Sequence, residues 1–534
     1  MPALQRQHLS IALAAIVWLC PLWLGPTAIV PALLWGAAGL GALLILDVTA
    51  TAQAQPASLQ KLFSALLLSL GLMIAWCSHS LQNTLAASLS LASIGLAATL
   101  TAKIDQTSPA RIMAWGWLAA GLFNAACGLM QYFGWTDEPL GTAFGFLRQR
   151  NNFATLCNIA LIALIYLWHQ KQLRTALAAS AGLLVSAGLA ATTSRAGLLG
   201  LIAISLAMSL SKNLRKAAAL LVLAYAFFAW ALPQISHSPE TIVARVSSTA
   251  DGGQFQDSRR IMWDNTLTLI RQQPILGVGW REIDHALHLT DFGATARFPG
   301  QVDNAHNLPL QFAAELGVPF TAIWLFALAW LILRNKPWRT RVPEQLLGWG
   351  ILLVIGIHSL LEYPLWYAPF QIAAGLASGL VFIQKKSVFR ASTAHMTYGL
   401  AGAALLIFVA YAAFDYHRVR QLFIPDAERS PLYRSDTRAQ AEQSWLFAAQ
   451  VRYARLSTMT KSADNAPAVY ALAQEVLHFS AEPWVFKILI DAGDQLAPHD
   501  AQIAAAVAVY KRQLPAILAA DTVLTAPPPD SAVK

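Results

Sequence analysis

Charge is what this 534-residue chain has least of. Asp, Glu, Lys and Arg make up 12% of it against 56% hydrophobic residues, and the mean hydropathy is +0.48. That balance belongs to polytopic membrane proteins rather than to soluble domains. Cysteine is scarce too. The four, Cys20, Cys77, Cys127 and Cys157, lie within or beside apolar runs and form no C-x-x-C pair. This excludes a disulfide framework and a thiolate metal site and leaves core packing. A convincing A-x-A cleavage site is missing after the first apolar run, Leu9 to Leu24, which leads directly into another, so the segment is read as a retained helix. The formal net charge of +9 does not point to nucleic acid. From Asp415 onward there are 12 Lys/Arg against 13 Asp/Glu, so the basic surplus lies between the hydrophobic runs, where membrane topology accounts for it.

Hydrophobic runs fill most of the chain. Thirteen are expected to span: 9–25, 28–46, 62–80, 84–102, 112–133, 152–169, 174–192, 196–211, 215–232, 316–333, 345–362, 365–383 and 397–414. With the N-terminus inside, the cytoplasmic connections carry Lys61, Lys103, Arg111, Lys171, Arg174, Lys212, Arg215, Lys216, Arg334, Lys336, Arg339, Arg341, Lys385, Lys386 and Arg390. The short outer connections hold only Arg148, Arg150 and Arg195. That asymmetry obeys the positive-inside rule. The odd number of spans puts the 233–315 loop and the 415–534 tail outside, in the periplasm of a Gram-negative cell; one span fewer would move the tail to the cytoplasm. The expected fold class is all-α, a polytopic membrane helix bundle of about 12–13 transmembrane helices. Its parts are N-terminal spans in 1–232, a large periplasmic loop at 233–315, C-terminal spans in 316–414 and a periplasmic helical domain at 415–534. In that last domain Val469, Leu472, Ala473, Val476 and Leu477 recur at helical spacing, and Trp445, Ala449 and Leu456 form another stripe. Tetratricopeptide-like helical pairs fit, without a clean period. Ala526-Pro527-Pro528-Pro529 is expected to be disordered.

Lysine is absent from the expected outer surface of the membrane region, whereas arginine recurs at 148, 150, 195, 245, 259, 260, 271, 281 and 297. A guanidinium grips phosphate oxygens in pairs, while an ammonium is a point charge. The set therefore suits a diphosphate site; loop solvation is the plainer reading of any single Arg.

The most informative stretch is Asn304-Ala305-His306-Asn307-Leu308-Pro309-Leu310-Gln311, followed by Glu315-Leu316-Gly317. It closes the long polar loop and opens onto the 316–333 run, which as a helix is about 27 Å long. His306 is thereby expected at the membrane-water boundary, where one group meets both a lipid carrier and a water-side acceptor. Anchoring a helix end is the plainer reading of a lone His. Glu315, nine residues on, would face the opposite side of a helix and is read as structural.

Four further segments accompany it. Leu147-Arg148-Gln149-Arg150-Asn151-Asn152 enters a span from outside. Thr192-Thr193-Ser194-Arg195-Ala196-Gly197 joins two spans tightly, which holds Arg195 near the membrane surface. Ser258-Arg259-Arg260-Ile261-Met262-Trp263 begins an amphipathic helix that Pro274 and Gly277 stop. His358-Ser359-Leu360-Leu361-Glu362-Tyr363-Pro364-Leu365-Trp366-Tyr367 turns between two spans, and its carboxylate must lie at the surface or be paired.

The H-N-x-x-L-x-x-x-x-E-x-G pattern at His306 resembles the signature of O-antigen ligases, polysaccharide polymerases and protein O-oligosaccharyltransferases. From about residue 140 to the tail, the segments together resemble protein O-oligosaccharyltransferases of the PglL type. The R-x-I-x-W and P-x-x-G-V-G segments are shared with the ligase and polymerase relatives; the H-S-L-L-E-Y-P-L-W-Y turn is similar to the protein-glycosylating branch. One departure is Arg148-Gln149-Arg150-Asn151 where that family commonly has R-Q-P-N, which leaves local backbone geometry and glycan choice open.

The resemblance implies en bloc transfer of a glycan from undecaprenyl diphosphate to Ser or Thr of periplasmic proteins such as pilins, by an inner-membrane enzyme of GT-C-like build facing the periplasm. The chain has no D-x-D, no W-W-D-x-G (Trp263-Asp264-Asn265 is no equivalent) and no His/Asp/Glu cluster at metal-ligand spacing. The expected reaction therefore uses no metal and no cofactor, with arginines stabilising the leaving diphosphate. His306 is the candidate catalytic residue, as general base or as an orienting group, because imidazole titrates near neutral pH. Arg195, Arg260, Arg148 and Arg281 are candidates for the diphosphate. Gln149, Asn307, Glu362 and Tyr363 are candidates for orienting sugar or acceptor. An O-antigen ligase or polymerase using the same donor is the alternative. A transporter fits less well, because the apolar spans carry almost no charge and the polar motifs gather on one side.

Overall fold

The computed structural model describes residues 3–19, 29–46, 58–102, 106–136, 141, 143–237, 241–250, 254–292, 297–298, 302–382 and 391–513. Cys20, the end of the first run, Lys103, Lys385, Lys386, Arg390 and the 526–529 stretch lie outside them. The described residues form no strand, only an isolated bridge between Ser78 and Trp280, and the protein is an all-α polytopic membrane protein.

In chain order the helices are α1 (Ala3–Ile16), α2 (Ile29–Leu46), α3 (Ser58–Cys77), α4 (Leu81–Thr101), α5 (Thr107–Tyr132), α6 (Arg150–His169) and α7 (Thr175–Ala191). There follow α8 (Arg195–Ser209), α9 (Arg215–Ser236), α10 (Ile242–Ala250), α11 (Gln254–Gln272), α12 (Ile283–Leu289), α13 (Leu308–Leu316), α14 (Val318–Asn335), α15 (Pro343–Ser359) and α16 (Ala368–Val381). The remainder are α17 (Ala391–Arg420), α18 (Thr437–Ala441), α19 (Ala448–Thr458), α20 (Ala466–Leu477), α21 (Pro483–Leu496) and α22 (Ala501–Gln513). Each expected span has a helix, with shifted ends. Among the described residues, seven segments are long and apolar enough to cross a membrane, namely 59–77, 81–101, 107–132, 150–169, 215–236, 318–339 and 396–423.

The helices pack as two compact units that do not follow chain order. The first comprises residues 1–68, 90–256 and 326–409, and the second 69–89, 257–325 and 410–534.

In the first unit α6 is the centre, packed by α5, α7, α8 and α15. Small residues set these approaches. A Cβ on Gly121 would lie 2.2 Å from Ala160, one on Gly197 2.5 Å from Ala154, and one on Gly200 2.5 Å from Asn158. Close helix approach through small residues supplies packing where lipid offers no hydrophobic drive. Asn158, fully buried, donates to Gly197 O at 2.9 Å and ties α6 to α8. Outward-facing Leu206, Leu223, Phe227 and Trp230 stay exposed, as lipid-facing side chains do.

The second unit has a core of Met262, Leu269, Ile283, Leu287, Val302 and Ala314, edged by Trp263, Val278 and Phe298. In its C-terminal part α19, α20, α21 and α22 pack each against the next. Val469, Ala473, Val476 and Leu477 are buried, as the helical spacing predicts, whereas Trp445 is half exposed and stacks on Tyr411.

Candidate functional site

In the first unit the chain ahead of Arg148 is clamped onto the end of α5. Buried Gln131 accepts the N–H groups of Phe144 and Gly145 at 3.1 and 2.9 Å and donates to Gly145 O at 3.1 Å. Asn124 accepts the Phe146 N–H at 2.8 Å. Gly145 has φ +57°, and a Cβ there would lie 2.6 Å from Asn124 Oδ1, so only glycine fits. Arg148 follows with φ 54° and an exposed side chain. Gln149 caps α6 by accepting the Asn152 N–H at 2.9 Å.

Asn151 then joins three turns. Its Nδ2 donates to Glu362 Oε1 at 3.0 Å, and its Oδ1 accepts from Ser194 Oγ at 2.6 Å. Ser194 in turn caps α8 by accepting the Gly197 N–H at 3.0 Å. Arg150 reaches Thr193 Oγ1 at 3.5 Å, and Thr155 Oγ1 lies 3.0 Å from His358 Nδ1. Glu362 is buried and therefore needs the pairing that the sequence requires of it. Arg195 is the first residue of α8, where the helix end adds positive potential to its own charge. The Tyr363 ring stacks on Tyr367 at 6.2 Å. The Arg148, Thr192 and His358 segments thus form one hydrogen-bonded surface within this unit.

In the second unit two glycine motifs interlock. Val278 N–H donates to Ala314 O at 2.8 Å, Gly279 N–H to Glu315 O at 3.1 Å and Val318 N–H to Pro274 O at 2.8 Å. Gly277 and Gly317 have φ +71° and +83°, and a Cβ would lie 2.5 Å from the Glu315 carbonyl carbon or 2.0 Å from Ile275 O. P-x-x-G-V-G and E-x-G are two halves of one backbone joint.

Ahead of that joint in the chain, His306 sits in a left-handed turn, φ +49°. On one side Trp263 Nε1 donates to Ala305 O at 2.9 Å, and Ala305 N–H donates to Gln311 Oε1 at 2.6 Å. On the other, Asn307 caps α13 by accepting the Leu310 N–H at 3.0 Å. His306 precedes the helix, so the angle between His306 and Glu315 expected for one continuous helix does not apply. Glu315 is fully buried and accepts the Arg281 backbone N–H at 3.0 Å. Burial pushes its carboxyl up to about 8, against the opposing pull of the Arg281 charge. The Arg281 guanidinium stands 3.6 Å from Asp303, two residues before Ala305. Arg260 is 81% exposed, 4.0 Å from Asp264. Non-glycine residues with positive φ include Arg148, Thr193, Arg281 and His306, each within or beside a motif singled out in the sequence. Such strain clusters where the surroundings over-determine a functional geometry.

Near Arg281, Glu282 lies buried against His285 and His478. Burial raises its carboxyl, but the two imidazole hydrogen bonds outweigh this and hold it below its usual value; His478 is raised in return by the same bond. Only Glu282 and His285, three residues apart, have local spacing; His478, 196 residues from Glu282, was not legible as their partner. Asn151, Ser194, Asn124, Gln131, Trp263 and Gln311 also hold these turns in place, although the sequence does not mark them as site residues. Of these only Asn151, Ser194, Trp263 and Gln311 stand inside the motifs.

Comparison with known proteins accords with these motifs. Residues 180–325 match the family described as O-Antigen ligase, and residues 346–512 match Virulence factor membrane-bound polymerase, C-terminal. Over these two regions the chain is similar to the O-antigen ligase and membrane-bound polymerase families. A General O-oligosaccharyltransferase of Acinetobacter baylyi is 28% identical over 146 residues, 27% of this chain and 24% of that protein. The match therefore spans about a quarter of that relative's length.

Proposed function

We propose that this chain carries out O-linked protein glycosylation, transferring a glycan en bloc from undecaprenyl diphosphate to Ser or Thr of a periplasmic protein such as a pilin. The observation that carries the reading is the His306 turn. A histidine in a left-handed turn is braced by Trp263, Gln311 and Asn307 immediately before an apolar helix. A group so held is preorganised for chemistry, because its position is set before a substrate arrives.

In this reading the acceptor hydroxyl oxygen forms the new bond to the anomeric carbon, and the bond from that carbon to the diphosphate breaks. The diphosphate leaves with the electron pair, and the hydroxyl proton passes to His306 as general base, or to water with His306 orienting the acceptor. Arg195, Arg260, Arg148 and Arg281 meet the developing negative charge, the part a divalent ion plays in other diphosphate chemistry, so the transfer step is read as metal-independent. Gln149, Asn307, Glu362 and Tyr363 orient sugar and acceptor. The bundle spans the inner membrane, with the 233–315 loop and the 415–534 domain in the periplasm.

A second reading, transfer to a sugar acceptor by a ligase or polymerase, is favoured by the descriptions of both matched families. Co-expression with a lipid-linked glycan and a candidate pilin, followed by intact-mass measurement, separates the two. A pilin heavier by one glycan supports the first. An unmodified pilin together with elongated glycan or capped lipopolysaccharide supports the second.

A further inference from the structure

Glu282, His285 and His478 each present one donor atom, and the three lie within 4.8 Å of one another. Glu282 Oε2 is 3.3 Å from His285 Nδ1 and 2.9 Å from His478 Nδ1. Adjacent donors around a tetrahedral zinc ion, with bonds of about 2.0–2.1 Å, stand about 3.3–3.4 Å apart. The first pair already has that separation, and the second reaches it by opening about 0.4 Å. Two buried polar atoms in the group, Glu282 Oε1 and His285 Nε2, have no hydrogen-bond partner, although the Glu282 side chain is only 3% exposed. The unpartnered Glu282 Oε1 is the one that bears on a ligand, since it sits on the same carboxylate as Oε2 and is costly to bury without a partner. The His478 ring also stacks on His79 at 5.2 Å and meets His285 edge-on at 4.8 Å. Three imidazoles and a carboxylate from distant parts of the chain are thus gathered within the second unit.

We propose that Glu282, His285 and His478 form a structural site for a divalent transition-metal ion, tying the start of α12 to the residue that follows α20. Two imidazoles and one carboxylate match the donor set of zinc and its neighbours, whereas calcium and magnesium require oxygen ligands. The ion closes a 196-residue loop. It thereby steadies Glu282, whose neighbour Arg281 anchors on Glu315 and Asp303. The ion's part is positional, and the site stands apart from the glycan-transfer reading.

The test uses the full chain, purified in detergent without a polyhistidine tag, stripped with chelator and titrated with Zn²⁺. One zinc per chain is expected by elemental analysis and calorimetry, with a thermal midpoint that rises on addition and falls again with EDTA. His478→Ala and Glu282→Gln are each expected to weaken binding at least about 100-fold, more than the loss of an outer-shell partner. His478→Cys keeps a ligand and is expected to keep binding. X-ray absorption at the zinc edge then shows two imidazoles in the native chain and one sulfur in His478→Cys. The cysteine variant decides the matter even if the others fail to fold. Absence of zinc binding, unchanged affinity in folded His478→Ala, or no sulfur in the His478→Cys spectrum each overturns the site.

Discussion

Asn151 is one side chain on which three turns depend, since its amide satisfies Glu362 on one side and Ser194 on the other. Asn151→Ala leaves a buried carboxylate short of a donor, a loss of about 1–3 kcal/mol. A lower thermal midpoint and reduced glycan transfer are expected; a variant with native stability and rate would show the bridge to be dispensable. Nothing in the order of residues announced this pairing. Asn151 stands beside the expected Gln149, but its partner is 211 positions away. Motif residues were legible one by one, and the hydrogen bonds between them were not. Glu315 carries a second residue-scale consequence. Its folded-state carboxyl sits at about 8, above the ordinary 4.5, with Arg281 and Asp303 as the charged groups facing it. The folded state therefore holds the proton more tightly, and stability is expected to fall as pH rises between those values. In Glu315→Gln that part of the slope should vanish in chemical-denaturation midpoints from pH 5 to 8. An unchanged slope would assign it to other groups.

Among elements, the joint between residues 274–279 and 314–318 matters most, because it sets where α14 begins. Gly317→Ala puts a Cβ 2.0 Å from Ile275 O at φ +83°. Left-handed strain alone costs about 1–3 kcal/mol and the backbone clash adds to it, so poor accumulation in the membrane is expected. Gly356→Ala, in α15 with nothing within 4 Å of the added carbon, is expected to be neutral or slightly stabilising. Equal behaviour of the two would remove the joint as an explanation of the E-x-G motif. Element existence was legible from hydrophobic runs, because membrane helices announce themselves by length and apolarity. The break at Gly317 was harder to see. The apolar run begins at Leu316, and Gly317 and Pro319 are the local stop and restart signals that reading it as one run passed over; contact with Pro274 and Ile275 then fixes the joint's geometry.

For the whole molecule, chain order and packing order differ. Residues 410–534 belong to the same compact unit as 257–325, the segment carrying His306. Truncation after Phe414 removes His478 from Glu282 along with the packing around it. Membrane abundance, donor binding and pilin glycosylation are therefore expected to fall together. Selective loss of glycosylation would instead assign acceptor handling to the C-terminal helices. The central claim, glycan transfer organised around His306, is tested most directly by the intact mass of a co-expressed pilin with His306→Ala. The account predicts a drop of at least about 100-fold in modified pilin, with the variant present in the membrane at the native level. Near-normal modification by the well-expressed variant would contradict it and leave His306 as the anchor of a helix end.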